Sequence, residues 1–177
     1  MRGKLAEFRL AAEKTLGRHI KVKWVREENL HLTVKFFGEV TGDQIETLEN
    51  ALSEAAGRCN HFEVEVKGAG CFPNIMNARV LWAGVDEKLT GLADAVESAA
   101  VREGLAPSDK PFSPHLTLAR FGTRPDAGLK DIVNQYSAFS FGRFDVNGMT
   151  LFQSRLMPDG PQYTILKNFP LKNIDAN

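Results

Sequence analysis

No apolar run in this chain of 177 residues reaches the ~18 that a helix needs to cross a bilayer, so no membrane-spanning helix is expected. The first residues, Met1-Arg2-Gly3-Lys4-Leu5-Ala6-Glu7, lack the apolar stretch of a secretory signal, and the default expectation is the cytoplasm. Neither sign of charge is in surplus, with 22 Lys and Arg against 22 Asp and Glu. That balance argues against a protein that grips long nucleic acid mainly by neutralising phosphates, but it leaves room for a site that takes one or two. Cysteine is scarce: Cys59 and Cys71 show no metal-ligand spacing and read as structural thiols of a reducing compartment.

What is present is ordinary globular composition, 43% apolar and 25% charged, enough for one compact unit with a full core. Leu5, Phe8, Ala12 and Leu16 stand at helical spacing and predict an amphipathic helix from about residue 2 to 16. A short strand with Trp24 follows at 21–25. Thr41 or Asp43 caps a second helix with the stripe Ile45, Leu48, Leu52 and Ala55. Phe62 to Val66 alternates as a strand, the glycine-rich stretch 67–77 reads as a loop, and 79–85 reads as a buried strand. A helix is expected over 87–103, another over about 127–136, and two closing strands near 144–154 and 163–169 with the turn Pro158-Asp159-Gly160 between them.

One stretch occurs twice. His31-Leu32-Thr33-Val34-Lys35-Phe36-Phe37-Gly38 is echoed by His115-Leu116-Thr117-Leu118-Ala119-Arg120-Phe121-Gly122. Each reads as a strand that ends at a glycine turn, and alternation puts His and Thr on one face with the apolar residues on the other. The surrounding elements repeat in the same order, so a duplicated βαβ-like unit is expected. The implied fold is α+β: a single domain, 1–177, of two pseudo-symmetric lobes, about 1–78 and 79–177 with strand exchange between them. The two histidines would meet in a cleft at the pseudo-two-fold axis. The strand at 79–85 precedes the helix of the second half, whereas nothing precedes the helix at Arg2, so an N-terminal strand is missing from the pattern. One sheet is then expected to carry an unfilled edge that another chain could pair with.

These residues resemble the 2H phosphoesterases, named for two His-x-Thr/Ser motifs, and among them the RNA 2',3'-cyclic phosphodiesterases also called 2'-5' RNA ligases. The similarity runs through 22–38, 70–85, Ser113 to Arg120, and Leu151 to Leu156. It implies antiparallel-rich sheets with helices on their outer faces and an active-site cleft. It also implies hydrolysis of RNA 2',3'-cyclic phosphate ends to 2'-phosphates without cofactor or metal, with His115 as general base and His31 as general acid. Opening a strained cyclic diester needs a base for water and an acid for the leaving 3' oxygen, and imidazole serves either role near neutrality. Thr33 and Thr117 would donate to the phosphate oxygens, and Arg120 matches a phosphate-contacting position. Strict alternation puts Arg120 on the face opposite His115, so a contact there requires the strand to bulge or end first.

Phe72 and Phe37 are candidates for stacking a nucleobase, while Trp24 reads as core. His19 and His61 read as solvated. Lys35 shares the face of His31 and reads either as added positive potential or as an exposed strand-end lysine. Partners are expected to be RNA ends, met by a monomer without membrane attachment. Rival readings are a metal hydrolase with His31 and His115 as ligands, a non-catalytic module binding RNA ends or nucleotides, and a phosphodiesterase for small cyclic nucleotides. ATP-independent 2'-5' ligation, the reverse reaction, is a side activity of the main reading.

Overall fold

The computed structural model describes residues 1–157 and 160–173, so the expected turn Pro158-Asp159-Gly160 lies in part outside the described residues. The elements in chain order are α1 (Arg2–Thr15), β1 (Val22–Trp24), α2 (Gly42–Arg58), β2 (Phe62–Phe72), β3 (Val80–Val85), α3 (Leu89–Arg102), β4 (His115–Phe121), α4 (Gly128–Gln135), β5 (Ser140–Val146), β6 (Gly148–Met157) and β7 (Gly160–Pro170). The fold is α+β, and β1 with β4, β2 with β3, β3 with β4 and β6 with β7 pair antiparallel. Two compact units each draw on both halves of the chain: residues 1–33, 64–89 and 113–144 form one, and 34–63, 90–112 and 145–177 the other.

The first unit is built on a five-stranded sheet in the order β1-β4-β3-β2-β5. Its strands bury alternate residues, Leu81, Ala83 and Val85 on β3 and Leu116 and Leu118 on β4, which is the pattern of a sheet covered on one face. α1 and α4 contact each other and supply the matching apolar stripes, Leu5, Phe8 and Ala12 from α1 and Leu129, Ile132 and Val133 from α4. Phe8 is fully buried, with its ring edge-on to Tyr136 at 4.8 Å and to Phe141 at 5.6 Å. Edge-to-face rings at such spacing add to the area they bury, so this cluster ties α1 to β5 and to the end of α4.

The expected loop at 67–77 is corrected: β2 continues through it to Phe72. The glycines there keep the strand going instead of ending it. Between Val66 and Ala69 the ladder to β3 gains an extra residue, and Gly68 takes φ +77° at this bulge, where a side chain would be strained. A Cβ at Gly70 would overlap the Trp82 ring, which needs that space.

In the second unit the side-chain carbonyl of Gln44 accepts the Thr41 backbone N–H at 2.9 Å and starts α2, whose buried stripe is Leu48, Ala51, Leu52, Ala55 and Ala56. The strands β6 and β7 form a two-stranded antiparallel sheet, anchored to α2 by Lys167 Nζ on Glu49 Oε2 at 2.6 Å.

The reading of 31–38 as a strand is also corrected. The stretch holds one isolated antiparallel bridge, Leu32 to Leu116, and no ladder. β4 begins at His115, and the next residue that the same register would offer is Pro114, which has no N–H to donate. The two copies of the motif are therefore built differently: one sits on a strand with neighbours on both edges, the other on a single bridge.

Candidate active site

His31, Thr33, His115, Thr117, Arg120 and Phe72 all belong to the first unit, whereas Phe37 and Lys35 belong to the second. The bridge between Leu32 and Leu116 joins the centres of the two motifs. Bridged antiparallel residues have Cα atoms about 5 Å apart, and their flanking residues turn to the opposite face. With both leucines directed to one side, His31, Thr33, His115 and Thr117 emerge on the other, and in this register His31 neighbours Thr117 while Thr33 neighbours His115.

The two imidazoles are held in the same way. Nδ1 of His31 lies 2.8 Å from the carbonyl oxygen of Asn29, and Nδ1 of His115 lies 2.7 Å from that of Ser113. A carbonyl only accepts, so each Nδ1 carries the hydrogen, which in the neutral ring leaves the lone pair on Nε2. These backbone partners, two residues before each histidine, were not foreseen from the sequence. No side-chain pattern betrays a carbonyl.

The position of Arg120 is decided by a bulge. Thr117 pairs with Trp82, but Ala119 pairs with Leu81 and Arg120 with Val80, which leaves Leu118 as an extra residue on β4. Leu118 and Ala119 are consequently buried in succession while Arg120 is exposed. Directly paired residues share a face, and Val80 and Trp82 are two apart on β3, so Arg120 returns to the face of Thr117 and His115. The guanidinium and the His-Thr pair stand on one uncovered surface.

Phe72 pairs with Val80 and also lies on this face. Its ring is edge-on to the His115 imidazole at 4.9 Å and tilted against Trp82 at 5.3 Å, so it buttresses the histidine. Trp24 pairs with Ala119 on the covered side, where the Arg9 guanidinium lies 5.4 Å from its ring centre, in keeping with a packing role.

Lys35 is neither exposed nor a bare positive charge. Its side chain is 3% exposed, and its ammonium donates to Glu97 Oε2 at 2.6 Å, Ser108 Oγ at 3.0 Å and the Ala106 carbonyl at 3.3 Å. The same ammonium lies 5.5 Å from the centre of the Phe37 ring. Hydrogen bonds from Lys35, and then from Ser108, hold the Glu97 carboxyl down at about 2.

His61 is not solvated but donates to the Leu171 carbonyl at 3.1 Å, while His19 is exposed near Asp126 at 3.9 Å. Burial pushes the Cys71 thiol up to about 11, which suits an inert packing residue. Among the described residues no group of three or more His, Cys, Asp or Glu side chains is placed to hold a metal ion, and no helix is long and apolar enough to cross a membrane.

The model of the LigT-like phosphoesterases matches this chain twice in succession, over residues 4–82 and 83–163, one copy per half. The RNA 2',3'-cyclic phosphodiesterase of Aquifex aeolicus is 36% identical over 164 residues, covering 90% of this chain and 87% of the relative. The protein of that name from Archaeoglobus fulgidus is 41% identical over 150 residues, covering 84% and 83%. Escherichia coli LigT complexed with 3'-AMP superposes with a TM-score of 0.71 at 26% identity, covering 97% of this chain and 93% of that one. With two family matches spanning nearly its whole length and a His-x-Thr motif in each, the chain belongs to the LigT-like phosphoesterases of the 2H superfamily.

Proposed function

We propose that this protein opens 2',3'-cyclic phosphates at RNA ends and leaves a 2'-phosphate. The observation that carries the reading is the matched pair of imidazoles, each with Nδ1–H on a backbone carbonyl and each flanked by a threonine, on the surface to which the Leu118 bulge returns Arg120. The curated relatives from Aquifex aeolicus and Archaeoglobus fulgidus bear the name of this activity.

In this reaction neutral His115 takes a proton from water through Nε2 as the water oxygen bonds to phosphorus. The bond from phosphorus to the 3' oxygen breaks, and protonated His31 delivers the proton that the leaving oxygen needs. The two histidines end with their protonation states exchanged, and solvent resets them. Charge gathers on the non-bridging oxygens in between, where the hydroxyls of Thr33 and Thr117 and the guanidinium of Arg120 donate to it. Phe72 lies edge-on to the His115 ring and stays a candidate for stacking a base, as does Phe37. All the groups this path uses come from one chain, so the path needs no second copy. Replacing water by a 5'-hydroxyl on the same path gives a 2'-5' bond without ATP.

A small cyclic nucleotide as substrate is the second reading, favoured by the mononucleotide 3'-AMP held by E. coli LigT. The test is incubation of an oligonucleotide ending in a 2',3'-cyclic phosphate, with chelator in excess, followed by mass spectrometry and mapping of the phosphate. Gain of one water with the phosphate on the 2' oxygen is expected. A 3'-phosphate product, or no product from either the oligonucleotide or a nucleoside 2',3'-cyclic phosphate, overturns the proposal.

A further inference from the structure

A run of cations leads away from the His115 and Thr117 pair on the uncovered face of the five-stranded sheet. In the register of β1 against β4, Lys23 stands directly opposite Arg120, so the two side chains leave the same face. Lys21 continues the line: its carbonyl accepts the Gly122 N–H at 2.8 Å and its own N–H donates to Thr123 Oγ1 at 3.1 Å. A Cβ built on Gly122 would lie 3.3 Å from the Lys21 Cβ, which puts Lys21 on the face that Gly122 shares with Arg120. All three cations are exposed.

The chain carries no surplus of positive charge overall, so this concentration is local. It begins three residues beyond Thr117, where the phosphate is placed in the reading above, and on which this inference rests. An RNA end carries further phosphodiesters on the 5' side of its cyclic phosphate, and a short row of amines and a guanidinium complements them.

We propose that Lys21 and Lys23 bind the phosphodiesters upstream of the reacting nucleotide, so that the enzyme prefers oligonucleotide ends to mononucleotides. Hydrolysis of a pentanucleotide ending in a 2',3'-cyclic phosphate is compared with that of a nucleoside 2',3'-cyclic phosphate across a salt series. The proteins are the native chain, the double variant Lys21→Gln/Lys23→Gln and the double variant Lys21→Arg/Lys23→Arg. The Gln variant is expected to lose about tenfold in kcat/KM on the pentanucleotide, mainly in KM, and its slope of log KM against log salt falls by about 1.4, roughly 0.7 for each lost phosphate contact. Its loss on the mononucleotide is several-fold smaller, and the Arg variant restores the difference.

Equal losses on both substrates, or an unchanged salt slope, overturn the inference. Binding of a pentanucleotide with a plain 3'-phosphate, followed by fluorescence anisotropy, separates this inference from the reading of the site. If the native chain turns over neither substrate the site reading fails, while weaker binding by the Gln variant still supports the phosphate track. An unchanged Kd rejects it whether or not hydrolysis occurs.

Discussion

Glu97→Gln should destabilise this protein more than Lys35→Met, although the two substitutions break the same ion pair. The members of the pair are buried to different degrees, with side-chain exposures of 3% for Lys35 and 32% for Glu97. In Lys35→Met the carboxylate keeps contact with water and still accepts the Ser108 N–H and Oγ–H, both at 2.8 Å. The loss is then one charged hydrogen bond, about 1.5–3 kcal/mol, partly offset by the burial of the methionine side chain. In Glu97→Gln the ammonium stays buried with only neutral acceptors, the circumstance in which breaking a buried pair costs about 3–5 kcal/mol. For a chain of this length each kcal/mol lowers Tm by roughly 2–4 °C, so about 6–20 °C is expected for Glu97→Gln. The methionine variant should fall short of that.

Acid sharpens the comparison. The Glu97 carboxyl titrates at about 2 in the folded protein, below its ordinary value of 4.5. Its contribution to stability is therefore fully present above that ordinary value and is lost as pH falls from there towards 2. Thermal melts of the native chain and both variants at pH 7, and of the native chain and Glu97→Gln down a pH series, make the measurement. The Gln variant should show a shallower acid loss than the native chain. If Lys35→Met melts at the lower temperature, or if the acid loss is the same with and without Glu97, the assignment of the buried member of the pair is wrong.

Four further outcomes are expected. His31→Ala and His115→Ala should each lower kcat by about 10²- to 10⁴-fold with the melting curve retained; near-native turnover in either variant removes it from the mechanism. Arg120→Ala should weaken kcat/KM by about tenfold or more, because a charged hydrogen bond to phosphate is lost, and an unchanged value would mean that the bulge-directed side chain does not reach the substrate. Phe72→Leu removes the edge contact to His115, worth about 0.5–1.5 kcal/mol, and should appear as a fall in kcat of up to about tenfold with KM little changed. Phe8→Ala opens a cavity in the aromatic cluster and should cost about 3–5 kcal/mol in a denaturant titration, with no charge-dependent component.

Local features could be read from residue order. Helical spacing marked α1 through Leu5, Phe8 and Ala12 and α2 through Leu48, Leu52 and Ala55, because apolar period is a property of neighbours along the chain. The doubled His-x-Thr motif was likewise legible, since both copies are contiguous. The other features share one cause: each depends on what stands opposite in space. Strand alternation alone turned Arg120 away from His115, and only the pairing of β4 with β3, which leaves Leu118 unmatched, turned it back. Composition made Gly68 and Gly70 look like a loop, yet one is a bulge and the other makes room for the Trp82 ring. The motif at His31 promised a strand that the ladder beside Leu116 does not continue, and the lysine four residues on, polar enough to predict at the surface, is buried because Glu97 and Ser108 await it. A side chain's chemistry is written in the sequence, but the face it occupies is set by register, and register belongs to the partner strand.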